Sequence, residues 1–173
     1  MNQNQTIYAI QTRSDVIRIS LWLPSLPGPA WLSRIDRGEF NISPTARRIM
    51  TSPGFRPGCR GKKEIVVLRS DCFSIRHRRT RRIFRDALRR GLSVTYPGLA
   101  CLLQESLTNE DFASMNLSTL VVAHPPIYIA RAQGFRLAVS NNVFGKYLNA
   151  FCEDEDKEWG KDVGFVFEES RKY

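Results

Sequence analysis

The arginine-rich segment at residues 76–90 constrains the fold of this chain more than any other feature, because it holds eight arginines in fifteen residues. At 100° per residue, four of these arginines fall within about 60° of one another on a helix: Arg78, Arg82, Arg85 and Arg89. The opposite side of the same helix carries Ile83, Phe84, Ala87 and Leu88. The pattern predicts an amphipathic helix over residues 78–90, with an arginine face, a core face and Gly91 at its C-terminal end.

The arginine face is unusual because it does not mix charge signs. Like charges at i,i+4 repel one another, so a solvated helix face normally alternates acidic and basic residues. Arginine also favours bidentate contact with phosphate, more than lysine does. The face therefore indicates an anionic partner.

Charge is divided unevenly along the chain. Residues 1–100 hold 19 Lys or Arg against 6 Asp or Glu, whereas residues 101–173 hold 7 against 11. Such a division again favours an anionic partner for the first half. It leaves a second interpretation open, in which the arginines meet the acidic half within one molecule or across a dimer.

Short apolar segments separated by turn residues predict the other elements. In the first half these are a strand at Val16–Leu23, a short helix at 30–37, a helix at 45–50 capped by Ser43 and Pro44, and a buried strand at 64–68. Residues 55–63 are rich in Gly, Pro, Arg and Lys and predict a mobile loop. In the second half the pattern predicts a short helix at 97–104, a buried strand at 120–123, a hairpin around 141–145 and a last strand at 164–167.

These elements predict an α+β fold, with short helices and a basic amphipathic helix followed by a C-terminal antiparallel sheet. The late strands follow one another too closely for the helical crossovers that parallel strands need. The length of 173 residues fits a single compact domain at 1–173, with a basic part at about 1–95 and a β-rich part at about 96–173.

The hydropathy pattern excludes a spanning helix, since no apolar run approaches the roughly 20 residues that cross a bilayer. The N-terminal residues lack the positive region and apolar run of a signal peptide. We therefore expect a cytoplasmic protein with no membrane partner.

Metal, cofactor and catalytic motifs are absent from the sequence. The four cysteines and two histidines form no C-x-x-C pair or other short ligand spacing, so we expect no metal, no cofactor and reduced, mostly buried thiols. The common nucleophile, phosphate-loop, zinc and dinucleotide motifs do not occur. His124 ends a buried strand and is expected to be structural. A pair of Cys72 with His77 is conceivable, but no other residue supports it, and catalysis is the less favoured class.

The stretch from Ile83 to Phe167 resembles a family of uncharacterised bacterial proteins. Three short apolar motifs carry the resemblance besides the helix end at 88–92: residues 120–127, residues 147–151, and Trp159 with residues 164–167. No activity is attached to that family, so the resemblance implies an intact fold and nothing about chemistry.

The leading hypothesis is non-catalytic association with nucleic acid through the phosphate backbone. The residues expected to contact phosphate are Arg78, Arg79, Arg81, Arg82, Arg85, Arg89, Lys62 and Lys63. The alternative is a protein-interaction or inhibitor module that self-associates or binds an acidic protein surface. The acidic segment at 153–158 predicts a solvated loop, since it lacks the spacing of a calcium-binding loop.

Overall fold

In the described part of the chain, ten strands form one mixed β-sheet, and five α-helices pack on it. The computed structural model describes residues 7–13, 16–38, 40–130 and 133–170. The strands are β1 Ile7–Arg13, β2 Val16–Leu23, β3 Asn41–Ile42, β4 Gly61–Arg69, β5 Leu92–Ser93, β6 Thr119–Val122, β7 Ile127–Ala130, β8 Gln133–Asn142, β9 Gly145–Cys152 and β10 Val163–Glu169. The helices are α1 Gly28–Arg37, α2 Pro44–Met50, α3 Thr80–Arg89, α4 Gly98–Ser106 and α5 Asn109–Met115.

The strand order across the sheet is β1-β2-β4-β10-β6-β8-β9-β3, while β5 pairs with β10 and β7 pairs with β8. Most neighbours are antiparallel, but β10 runs parallel to β6 and β3 runs parallel to β9. Strand β10, from the end of the chain, is inserted between β4 and β6. The basic and acidic halves of the sequence therefore share one sheet.

The predicted fold class is wrong. The sheet is not a C-terminal addition, because β1, β2 and β4 of the first half form one side of it. It is also not purely antiparallel. The parallel pair β6 and β10 needs no helical crossover, since β7, β8 and β9 occupy the chain between them. Lys62 and Lys63, predicted to lie in a mobile loop, belong to β4.

Local signals in the sequence account for several element boundaries. Helix α2 begins at Pro44, whose fixed φ suits the first helical position, and the Ser43 hydroxyl accepts a hydrogen bond from the Ala46 N–H at 3.2 Å. Helix α3 is followed by Gly91, whose φ of +74° is a left-handed conformation that favours glycine. Along β2, from Val16 to Leu23, buried residues alternate with more exposed ones, as a strand with one face on the core requires.

Two separate apolar clusters cover the two faces of the sheet. The larger cluster joins one face to α1, α2, α4 and α5. The smaller cluster joins the other face to α3 through Ile83 and Ala87, with Phe84 packed against it. Helix α3 thus lies on the opposite side of the sheet from the other four helices. None of the described helices is long and apolar enough to cross a membrane.

Candidate nucleic-acid interface

Helix α3 is attached to the sheet through its apolar side. Ile83 and Ala87 are fully buried. The ring of Phe84 meets those of Phe165 and Phe167 on β10 edge-on, with centroid distances of 6.2 and 5.2 Å. Such edge-to-face pairs add to the stabilisation from burial alone. The opposite side of α3 is consequently held towards solvent.

Three arginines form the open part of α3. We call Arg82, Arg85 and Arg89 the arginine face, and all three are exposed. Among the described residues, these three side chains make no ion pair. Arg89 is seven positions after Arg82, so the face is about 10 Å long at 1.5 Å per residue. Leu88 was predicted on the core side, but its side chain is 68% exposed and borders this face.

Arg78 is not part of the arginine face. Its Nε donates to the carbonyl oxygens of Ser70 and Phe73, at 3.1 and 3.0 Å. It precedes the first residue of α3 and is half-buried. Arg78 therefore ties the preceding turn to the start of the helix, instead of pointing at a ligand.

Arg79 and Arg81 are paired with residues 153–158, which we call the acidic loop. Nη2 and Nε of Arg79 contact one carboxylate oxygen of Glu158 at 2.8 and 3.2 Å. Nη2 of Arg81 lies 3.0 Å from Asp156. The hydrogen bonds that Arg79 donates to Glu158 raise the pKa of its guanidinium, because the carboxylate stabilises the charged form. Arg79 and Arg81 are thus already paired with carboxylates of the same chain.

The acidic loop is held on α3 mainly by its backbone. The N–H groups of Thr80 and Arg81 donate to the carbonyls of Lys157 and Glu155, at 3.3 and 3.0 Å. A helix start leaves such N–H groups without intrahelical partners, and Arg79 offers no side-chain cap. The indole N–H of Trp159 also donates to the Thr80 hydroxyl at 3.0 Å. The loop therefore caps the helix through its backbone, while its acidic side chains are mostly exposed, as the sequence predicted for a solvated loop.

Lys157 fastens the same loop to an aromatic cluster. Its ammonium lies 4.4 Å from the centroid of the Phe151 ring and 4.3 Å from that of Trp159. Trp159 in turn packs edge-on against Phe165 at 5.2 Å. Cation–π contacts of this kind persist where the rings are partly removed from water. The only lysine of the acidic loop thus serves to anchor it.

The predicted lysine contacts lie at the other end of α3. Lys63 on β4 is largely buried and bonds to Glu168 at 2.7 Å, and Lys62 lies 3.2 Å from Glu64. Both lysines line an open cleft of about 460 Å³ together with Arg90, Gly91, Glu64, Glu168, Glu169 and Ser170. Three cations and three carboxylates line this cleft, so it lacks the excess of positive charge that favours phosphate.

Arg136 is a structural residue that the sequence did not single out. Its guanidinium lies over Phe84, pairs with Glu153 and donates from Nε to the His124 carbonyl at 2.8 Å. Burial lowers the pKa of Arg136 to about 10. Arg136 lies on the face of β8 that α3 covers.

The two histidines have different environments. His124 is fully buried, its Nδ1 lies 2.6 Å from the Pro125 carbonyl oxygen, and its Nε2 accepts from the Leu137 N–H at 2.8 Å. Burial lowers the pKa of His124 to about 4, so the ring is neutral and structural at pH 7. The exposed His77 meets Ser74 through Nδ1 at 3.2 Å.

The prediction of mostly buried thiols is wrong. Cys101 is buried in α4, whereas Cys59, Cys72 and Cys152 are exposed. Cys59 and Cys72 lie in polar or turn segments, and Cys152 is the last residue of β9, where the strand reaches solvent. Among the described residues, no group of three or more His, Cys, Asp and Glu side chains could hold a metal ion.

No protein-family model matches this sequence, and neither a curated protein nor a solved structure matches it significantly. The resemblance of residues 83–167 to a bacterial family stays a prediction.

The chemistry available at α3 is therefore that of fixed cations. Three guanidinium groups lie in one row, on a helix whose opposite side is packed on a sheet. Guanidinium offers five N–H donors and stays charged at any physiological pH, which suits phosphate oxygens. The row offers no nucleophile and no general base.

Proposed function

We propose that this protein associates with nucleic acid without catalysis, through contacts of the arginine face with backbone phosphates. The observation that carries the proposal is the exposed row Arg82, Arg85 and Arg89, which makes no ion pair in the described part of the chain. Five other arginines in or beside α3 do have carboxylate or carbonyl partners: Arg78, Arg79, Arg81, Arg90 and Arg136. A like-charged row repels itself by a few tenths of a kcal/mol per i,i+4 pair, and phosphate would relieve that repulsion.

The expected binding is electrostatic and weakly dependent on base sequence. Side chains that contact phosphate fix position and carry little sequence information. With three phosphates neutralised, the slope of log affinity against log salt for duplex DNA is about −2.7. Affinity should accordingly fall about 40-fold between 50 and 200 mM salt.

The test is a titration of a fluorescently labelled random-sequence duplex with the protein at several salt concentrations. Binding with the expected slope, and with similar affinity for unrelated sequences, supports the proposal. Lack of binding to both duplex and single-stranded nucleic acid at about 50 mM salt contradicts it.

The alternative function is self-association, or binding of an acidic protein surface, through the uneven charge of the two halves. Part of the acidic half is already paired within the molecule, since Asp156, Glu158 and Glu153 meet Arg81, Arg79 and Arg136. Fewer carboxylates therefore remain for a second copy. Light scattering at low and high salt tests for self-association, because only self-association gives a dimer of this chain that dissociates as salt rises.

A further inference from the structure

We infer that the acidic loop is a built-in competitor of nucleic acid, which occupies Arg79 and Arg81 and confines the phosphate-binding surface to the arginine face. The inference rests on the proposed function and states which arginines are available to phosphate. Arg79 and Arg81 adjoin Arg82, so without the loop's carboxylates the row would extend from three arginines to five.

The carboxylates of Asp156 and Glu158 take the places that phosphate oxygens would take. Arg79 directs two nitrogens at one oxygen of Glu158, at 2.8 and 3.2 Å. Asp156 is shared, since it lies 3.0 Å from Arg81 and 4.0 Å from Arg79. Two negative charges at this end of α3 also repel an approaching phosphate backbone.

These ion pairs are open enough to exchange partners. The side chains of Arg79 and Glu158 are 38% and 58% exposed, and those of Arg81 and Asp156 are 45% and 62% exposed. Pairs that are this accessible to water and salt are held weakly. Phosphate could therefore replace either carboxylate without removing any buried group from its surroundings.

The position of the loop does not depend on the two carboxylates. Backbone hydrogen bonds join it to Thr80 and Arg81, and Lys157 and Trp159 anchor it on the aromatic cluster. Neutral amides at positions 156 and 158 should accordingly leave the loop on the helix. The competing charge can thus be removed while the cap of α3 is retained.

The variant Asp156→Asn/Glu158→Gln tests the inference by its salt dependence with duplex DNA. With five phosphates in reach, the slope should steepen from about −2.7 to about −4.5. Affinity should then fall about 500-fold, in place of about 40-fold, between 50 and 200 mM salt. At the lower salt concentration the variant should bind more tightly than the wild type.

The matched control is Asp36→Asn/Glu110→Gln, which removes two carboxylates on α1 and α5 at the other face of the sheet. It also breaks one exposed ion pair, that of Asp36 with Arg47 at 2.6 Å. The control should keep the wild-type slope. A slope that is unchanged in the loop variant, or that steepens equally in both, overturns the inference.

Chemical modification of the arginines is a second test of the inference and needs no nucleic acid. Phenylglyoxal reacts with accessible guanidinium groups, and mass spectrometry locates the products. In the wild type, Arg79 and Arg81 should react more slowly than Arg85, and the loop variant should accelerate those two alone. Equal rates in the wild type show that the loop masks nothing and overturn the inference.

Failure of the proposed function gives a different result. If the loop variant exposes Arg79 and Arg81 but neither protein binds nucleic acid, the proposed function is wrong. The contacts of the loop with the two arginines are then structural ion pairs only.

Discussion

The guanidinium carbon of Arg136 lies 4.4 Å from the centroid of the Phe84 ring. Phe84 belongs to α3 and Arg136 to β8, so this contact joins the helix that carries the arginine face to the sheet beneath it. The same guanidinium reaches Glu153 at the start of the acidic loop. Helix, sheet and loop therefore meet at these two residues.

Replacing Phe84 with alanine should destabilise the protein by roughly 3 kcal/mol, because it removes a half-buried ring that contacts Phe165, Phe167 and Arg136. Urea denaturation measures the change. The control is Phe144→Ala at the tip of the β8–β9 hairpin, where the ring is 79% exposed. Its effect should stay within about 0.5 kcal/mol. Equal costs for the two variants would mean that α3 is not packed as described.

Stability should fall as the pH drops from about 6.5 to about 4, because His124 stays neutral in the folded protein. The unfolded chain binds a proton at this residue near pH 6.5, whereas burial lowers the folded pKa to about 4. Protons therefore favour the unfolded state within this window and remove up to about 3 kcal/mol. Urea titrations at several pH values measure the loss.

Two comparisons assign that loss to His124. His124→Gln, whose side chain keeps polar groups but binds no proton in this range, should lose the fall in stability. The pKa of Asp36 is lowered by its hydrogen bond from Arg47, so its stabilising effect is lost only below about pH 4. A free energy of unfolding that stays constant between pH 6.5 and 4.5 would contradict the assignment.

Three of the four thiols should react rapidly with a disulfide reagent in the folded state. Cys59, Cys72 and Cys152 are exposed, whereas Cys101 is buried and its pKa is raised by that burial. The fourth thiol should react only after denaturant is added. In Cys101→Ala the slow reaction should disappear while the three fast ones remain. Four equal rates would contradict the packing of α4.

Local signals in the sequence predicted the elements better than their arrangement. The residues Ser43 and Pro44 correctly marked the start of α2, and Gly91 the end of α3. Helix α5 was missed, although Thr108 and Asp111 form a reciprocal capping box at its start. The spacing of these two residues is the signal that could have revealed it.

The sheet order could not be predicted because it depends on pairings between distant segments. Strand β10 lies between β4 and β6. The apolar pattern of residues 163–169 indicates a buried strand but not which strands pair with it. Strand β1 was also missed, since its residues mix apolar and polar types without clear alternation.

Helical periodicity predicted the arrangement of the arginines in residues 76–90 only in part. Helical spacing correctly grouped Arg82, Arg85 and Arg89, but it could not show that Arg79 and Arg81 meet a loop about 75 residues later in the sequence. Leu88 was assigned to the core because an isolated helix gives no measure of how far the sheet extends beneath it.

The most direct test of the nucleic-acid proposal compares two triple charge reversals. Arg82→Glu/Arg85→Glu/Arg89→Glu reverses the arginine face. Its matched control, Arg37→Glu/Arg48→Glu/Arg56→Glu, has the same net charge but changes exposed arginines outside α3. Each is titrated with duplex DNA at about 50 mM salt, where electrostatic binding is strong, and is denatured with urea. We predict that the first variant folds as stably as the wild type and loses binding, while the control retains most of it. Equal loss in both variants, or unfolding of the first alone, would contradict the proposal.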